Sequence, residues 1–275
     1  LTKFYTGVKT IDALLKPSGH RHGTGVALIS INIERKEFTL TFKNNYSDLG
    51  IKNILTQNSK MKRSSRLVYN WTIPAFLSKT GFKTCPMAGV CATGCYARSG
   101  AYLWSNVSKV HEAKLELSRR PDFATIMIEA ITAVYRPGKE LFIRVHDAGD
   151  FYGIEYAIKW FTVMQHFSNN PDIQFYAYTK QIQMFKGLTL PNNFTLIYSF
   201  GGKQDRLIEP TDRHSAVFPT EAELLAAGYV NASHDDMLAL TDNHRVGLVY
   251  HGAKSFTNTK WGRQVPANTT ESEAV

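Results

Sequence analysis

The sequence predicts an α/β protein whose main body is a partial or complete (β/α) barrel of the TIM type, with a β-hairpin extension at its N-terminal end. Three patterns carry that expectation. From Leu67 onward, short apolar runs alternate with stretches of helical period, the arrangement that builds parallel strands joined by crossover helices. The segments leaving those runs are polar, ionisable or glycine-rich, as expected at the C-terminal end of a parallel sheet, where sites collect. Before Leu67 the period changes to two, the mark of half-buried strands.

In the extension, residues 1–66, Ile29, Ile31 and Ile33 alternate with Ser30 and Asn32, and Phe38, Leu40 and Phe42 alternate with Thr39 and Thr41. The polar link Glu34 to Lys36 between them makes a hairpin. The basic, serine-bearing stretch Thr56 to Arg66 reads as a loop. The barrel-like domain spans 67–265. Its first strand, Leu67 to Thr72, is followed by Pro74. A helix starts near Ser105 with Val107, Val110, Ala113 and Leu117 on one stripe. A second starts at Pro121, which suits a first helical position, and stops at Pro137-Gly138. Leu141 to Val145 is the next strand, followed by a helix carrying Ile154, Ala157, Ile158, Phe161 and Met164. Strands Ile173 to Ala177 and Phe194 to Ser199 bracket a short helical segment around Gln181 to Gly187. Ser215 to Phe218 is a further strand, Thr220 caps a short helix to Ala227, and Val246 to Val249 is the last strand. Residues 266–275 form a polar, frayed tail.

Composition narrows the function classes. With 43% apolar and 20% charged residues the chain is an ordinary globular protein rather than a disordered one. No apolar run approaches the roughly 20 residues that span a bilayer, and the N-terminal stretch lacks a signal-peptide core. A cytoplasmic protein with no membrane partner is therefore expected. The formal charge of +9 favours phosphate-bearing partners through long-range attraction. Its densest group, Lys60, Lys62, Arg63 and Arg66, is a nucleic-acid groove on one reading and a solvated basic face on the ordinary one.

The chemistry gathers on Thr84 to Gly100, TCPMAGVCATGCYARSG, which holds every cysteine of the chain: Cys85, Cys91 and Cys95. An odd, clustered set with nothing elsewhere to pair with points to metal rather than to disulfides. The spacing Cys-x5-Cys-x3-Cys is unlike a zinc knuckle, which pairs cysteines two to four residues apart and takes a fourth ligand. Three thiolates can hold a four-iron, four-sulfur (4Fe-4S) cluster with one iron left open, and Gly89 and Gly94 let the loop wrap closely. The cluster is the leading reading, zinc the alternative, and three metal-free structural cysteines the third.

The other strand ends supply the remaining candidates. His146, Asp147 and Asp150 follow the second strand, with His146 a fourth ligand or general acid/base and Asp150 either catalytic or an N-cap. Arg144, a charge inside an apolar strand, pairs with Asp147 or Asp150 or binds an anion. Tyr178 and Lys180 line a substrate pocket or serve as core and surface, with Lys180 a phosphate contact or a Schiff-base nucleophile. Gly201-Gly202 permits close backbone approach to a ligand, His251 repeats the placement of His146, and Arg98 balances a cluster or a carboxylate. His234, Asp235 and Asp236 form a second hard-metal group or an ordinary helix start.

NWTIPAF at Asn70 to Phe76, the cysteine segment ending CYARSGAY, RVHDAGDFY and FYAYTK together resemble the gene product 88 family of phage proteins. The matching features are Cys85, Cys91, Cys95, Tyr96 and Ala97, Gly149 to Tyr152, and Ala177 to Thr179. The resemblance covers about the middle half of the chain and implies a phage origin and iron-sulfur binding, without a known reaction. That family carries further cysteines toward its C-terminus, whereas none follows Cys95 here. A wider similarity is to radical S-adenosylmethionine enzymes, in which a three-cysteine loop after the first strand of a partial barrel holds a cluster that binds the cofactor. Their usual Cys-x3-Cys-x2-Cys spacing, with an aromatic residue before the last cysteine, differs from this loop, where Gly94 fills that place. The combined expectation is a phage-encoded iron-sulfur enzyme in the host cytoplasm, acting on a small anionic substrate by lyase, aldolase-like or radical chemistry. The alternative is a zinc- or cluster-stabilised protein that binds nucleic acid.

Overall fold

The structure, a computed structural model, describes residues 46–250 and, ahead of them, the backbone of 27–32 and 37–42. Two units divide between Asn45 and Tyr46. In the first, β1 (Ala27–Asn32) pairs antiparallel with β2 (Glu37–Phe42), with Ile29 opposite Leu40 and Ile31 opposite Phe38. The two-residue period thus places apolar residues opposite one another in the expected hairpin strands.

The second unit runs α1 (Ser59–Arg63), β3 (Leu67–Trp71), α2 (Cys91–Gly94), α3 (Ser105–Arg119), α4 (Phe123–Val134), β4 (Leu141–Val145), α5 (Ile154–His166) and β5 (Ile173–Thr179). It continues through α6 (Ile182–Phe185), β6 (Phe194–Ser199), β7 (His214–Phe218), α7 (Glu221–Ala226), β8 (Val230–Asn231) and β9 (Arg245–Val249). The seven strands from β3 on form one sheet in the order β3-β4-β5-β6-β7-β9-β8, every neighbouring pair parallel. The edges β3 and β8 are not paired with each other, so the described residues make a curled partial barrel and not a complete one.

Alternation along the strands divides the core. Leu141, Ile143 and Val145 of β4 join Ile173, Phe175 and Ala177 of β5 in the main cluster, packed with Phe123, Ile126 and Met127 of α4 and Trp160, Val163 and Met164 of α5. Trp71, Phe123 and Trp160 meet there edge to face at 5.3–6.3 Å, and burying each such ring contributes about 1.5–3 kcal/mol. Phe142 and Tyr176 instead form a second buried group with Met61 and Val68. Arg144 sits in register between Asn70 and Tyr176, and the site lies on this second face.

Several expectations are corrected. Thr56 to Arg66 is not a loop throughout: Asn58 caps one helical turn by accepting from Met61 N–H at 2.9 Å, and Met61 is buried. Ile51, Ile54 and Leu55 enter the main core, and Thr56 exchanges backbone hydrogen bonds with Asn70. The stripe read on α3 is rotated, because Lys114 is only 1% exposed and lays its ammonium 5.4 Å from the Trp71 ring centre. Burial pulls that ammonium down to about 8. Pro121 precedes α4 by two residues, and the short strand β8 went unread. Residues 251–275, including the expected tail, lie outside the described residues. Among those described, no helix is long and apolar enough to cross a membrane.

Candidate functional site

The cysteine loop leaves β3 and is anchored at both ends. Near β3, the Thr84 hydroxyl donates to Pro74 C=O at 2.6 Å and Phe76 N–H donates to Cys85 Sγ at 3.4 Å. Across the sheet, Gly89 and Cys91 N–H both donate to Gly201 C=O at 3.0 and 3.1 Å, and Lys203 N–H donates to Met87 C=O at 2.8 Å. The Asp205 carboxylate secures that clamp by accepting from Gly201 and Gly202 N–H. A Cβ on Gly89 would lie 3.0 Å from the Gly202 backbone, and one on Gly202 would lie 3.0 Å from Met87 C=O. Both glycines are therefore spent on bringing two backbones together.

Beyond β4 the chain turns through His146, at φ 70°, and Gly149, at φ 84°. A Cβ on Gly149 would overlap Ile73 at 2.2 Å, so only glycine fits this turn. His146 is buried, and its Nε2 lies 2.9 Å from the Tyr156 hydroxyl, which itself accepts from Trp71 Nε1 at 2.8 Å. Trp71 can only donate, so the Tyr156 oxygen accepts from it, and the direction of the Tyr156–His146 hydrogen bond follows the imidazole tautomer. Burial holds that ring down to about 3, so it is neutral, and its Nδ1 has no partner among the described residues.

Asp150 caps no helix, since α5 begins after Gly153 without a side-chain cap. Its carboxylate accepts from Phe151 N–H and the Thr179 hydroxyl, both at 2.7 Å, and from Lys180 N–H at 3.0 Å. Burial outweighs these donors and raises Asp150 to about 6. Asp147 accepts from the Thr72 and Tyr102 hydroxyls, and its backbone carbonyl accepts from Tyr96. Arg144 pairs with neither aspartate expected for it: Nη1 donates to Asp236 Oδ2 at 2.9 Å, from 92 residues away. The same carboxylate meets Lys60 Nζ at 2.6 Å and the Tyr176 hydroxyl at 3.0 Å. Against burial, Arg144 and Lys60 hold Asp236 down to about 2. Lys60 thus faces inward and leaves the basic surface group, while Asp235 caps the helical turn Asp236–Leu240.

These segments enclose a cavity of about 270 Å³ at the C-terminal ends of the strands. Cys85, Cys91, Cys95, Arg144, His146, Asp147, Asp150, Tyr178 and Lys180 all line it. Arg98, Gly201 and Gly202 do not: Arg98 turns to Ala92 C=O and the Phe76 ring, and the glycines clamp the loop. His251 lies outside the described residues. The cysteines are free thiols. Burial raises Cys85 to about 12, and Cys95 is raised by its hydrogen bond to Cys91 and by burial. Cys91 falls to about 6, because the Cys95 thiol donates to it and, against burial, the Lys180 ammonium attracts its charge. Among the described residues, no three Cys, His, Asp or Glu side chains converge on one metal position.

A family model described as gene product 88 matches residues 49–270. The chain belongs to that phage family. No curated protein and no solved structure matches it. The matched span of this gene product 88 protein takes in every described cavity residue named above, and the expected family membership stands.

Sequence reasoning missed part of the lining. Phe76, Tyr96 and Tyr102 contribute aromatic walls, and Ser199 accepts from Lys180 Nζ at 2.7 Å. The signal for the tyrosines was present, since both fall within CYARSGAY, the stretch that carries the family resemblance. Phe76 and His146 are the non-glycine residues at positive φ among those described, and both line the cavity. Strained backbone of this kind gathers at functional sites.

Proposed function

We propose that this gene product 88 protein is an iron-sulfur enzyme acting on a small anionic molecule held in the cavity. The observation that carries this reading is that all three cysteines, free of disulfides, open on one cavity beside Lys180 and Asp150. Thiolate sulfur is a donor that both clusters and zinc accept. Zinc takes four donors gathered on one centre, and the Cys-x5-Cys-x3-Cys spacing with no fourth cysteine in the chain departs from that pattern. Cys85 and Cys95, pushed up by burial and by their neighbours, become thiolates only beside a compensating cation.

When bound, a cluster with one iron free of cysteine supplies a Lewis acid or a one-electron donor. The chain's own residues do the rest. Lys180, fixed through Ser199, places an ammonium toward an anionic group. Asp150, oriented by three donors and held near 6, exchanges a proton at neutral pH. Phe76, Tyr96, Tyr102 and Tyr178 restrict water on the cavity walls.

The test is iron, acid-labile sulfide and zinc content after purification without oxygen, beside a Cys85→Ala/Cys91→Ala/Cys95→Ala variant. Equal iron and sulfide, lost in the variant, support the reading; stoichiometric zinc without sulfide sinks it. Incubating the reduced protein with S-adenosylmethionine then separates the chemistries, since the radical route releases deoxyadenosine and the Lewis-acid route does not.

A further inference from the structure

Three buried polar atoms on cavity-lining residues have no partner among the described residues, His146 Nδ1, Arg144 Nε and the Tyr178 hydroxyl, and of these residues Arg144 and Tyr178 stand together. Both residues stand on one face of the sheet, because Arg144 is in register with Tyr176 and Tyr178 follows two positions later. The guanidinium carbon lies 5.1 Å from the Tyr178 ring centre. An unmatched buried donor on a cavity wall calls for an acceptor, and a ligand is the natural one.

The charge at this end of the cavity narrows the ligand. Arg144 and Lys60, two cations, share the single carboxylate of Asp236, which also accepts from Tyr176. Asp147, the other carboxylate nearby, accepts from the Thr72 and Tyr102 hydroxyls, and its charge is offset by the buried Lys114 ammonium, which it favours. One positive charge remains, presented on a planar guanidinium edge beside a phenol. That geometry recognises a planar oxyanion, and one charge matches a monoanion better than a dianionic phosphate. A volume of about 270 Å³ admits a compound of few carbons.

We propose that Arg144 and Tyr178 form a subsite for the carboxylate of a small monocarboxylic ligand. The proposal deepens the reading of the cavity as an active site and rests on it for the ligand being a substrate. Calorimetric titration of the full chain with acetate, propionate and inorganic phosphate tests it. At least one carboxylate binds saturably and more tightly than phosphate. Tyr178→Phe, which leaves the Arg144–Asp236–Lys60 group intact and so retains the fold, weakens binding about tenfold or more. Lys62→Ala, outside the cavity, leaves Kd unchanged. Absence of saturable carboxylate binding, tighter binding of phosphate, or an unchanged Kd in Tyr178→Phe overturns the subsite. The same titration on the triple cysteine variant separates the two proposals. Carboxylate binding retained there, with no iron or sulfide in the parent protein, removes the cluster and keeps the subsite. Iron and sulfide without carboxylate binding does the reverse.

Discussion

Replacing Asp236 with asparagine removes one charge and leaves two others without a counter-ion. The Lys60 and Asp236 side chains are 24% and 7% exposed and that of Arg144 is 14% exposed, so solvent screens the loss only in part. Breaking a buried pair on one side costs about 3–5 kcal/mol, and the partial exposure of Lys60 places this case near about 3 kcal/mol. An independent figure agrees in scale. Asp236 is held at about 2 against an ordinary 3.8, which corresponds to about 2 kcal/mol of stability. The sign follows from a folded-state value below the unfolded one: the contribution is complete above pH 3.8 and disappears as pH falls through 2. In a unit of this size the loss lowers Tm by about 6–12 °C at pH 7. Thermal unfolding followed by circular dichroism measures it, and Arg144→Met/Asp236→Asn, which removes the worst-orphaned charge, recovers part of the deficit. A Tm within about 1 °C of the parent for Asp236→Asn, or a double variant no better than the single one, would refute the argument that orphaned charge is the cause.

Three further outcomes are expected. In the metal-free protein, alkylation of Cys91 followed by peptide mass spectrometry rises with a midpoint near pH 6, while Cys85 stays unreactive below about 12; Lys180→Met moves the Cys91 midpoint upward, and an unmoved midpoint removes Lys180 from the account. Gly149→Ala destabilises by about 2–4 kcal/mol in denaturant titration, through overlap with Ile73 and strain at positive φ; a change below about 0.5 kcal/mol shows that the turn has room. His146 is depressed to about 3 from 6.5, so its unfolded form takes a proton that the folded form refuses, and stability falls between those values by up to roughly 5 kcal/mol. Asp150, raised from 3.8 to about 6, works in the opposite direction over part of that window. The difference between the parent and His146→Gln isolates the histidine, and a difference independent of pH from 7 to 4 contradicts the assignment of a neutral buried ring.

The strands were legible because burial writes them locally: Leu141–Val145 and Phe194–Ser199 are apolar runs whose limits coincide with the observed elements. The site was partly legible for a topological reason. Parallel strands send their C-terminal loops to one end, so Cys85, His146, Asp150 and Lys180, distant in sequence, share a cavity. What stayed hidden depends on contacts between remote residues. Arg144 announced a buried charge, but its partner Asp236 lies in a turn that reads locally as a capped helix start. Lys114 broke the expected stripe of α3 because the Trp71 ring offers its ammonium a face, and no periodicity rule anticipates that. Gly201 and Gly202 looked like a ligand approach; their approach is to another stretch of the same chain.

That clamp fixes an order of events during synthesis. Cys91 is made 110 residues before Gly201, whose carbonyl ties the cysteine loop to the sheet. At roughly 5–20 residues per second, the nascent thiols wait about 5–20 s for the residues that will hold them. Lys180, Ser199 and Asp236 also arrive after the cysteines, so the cavity cannot close around any occupant until most of the chain has left the ribosome. The cavity is therefore completed late, and during the interval three unshielded sulfurs depend on the reducing power of their surroundings.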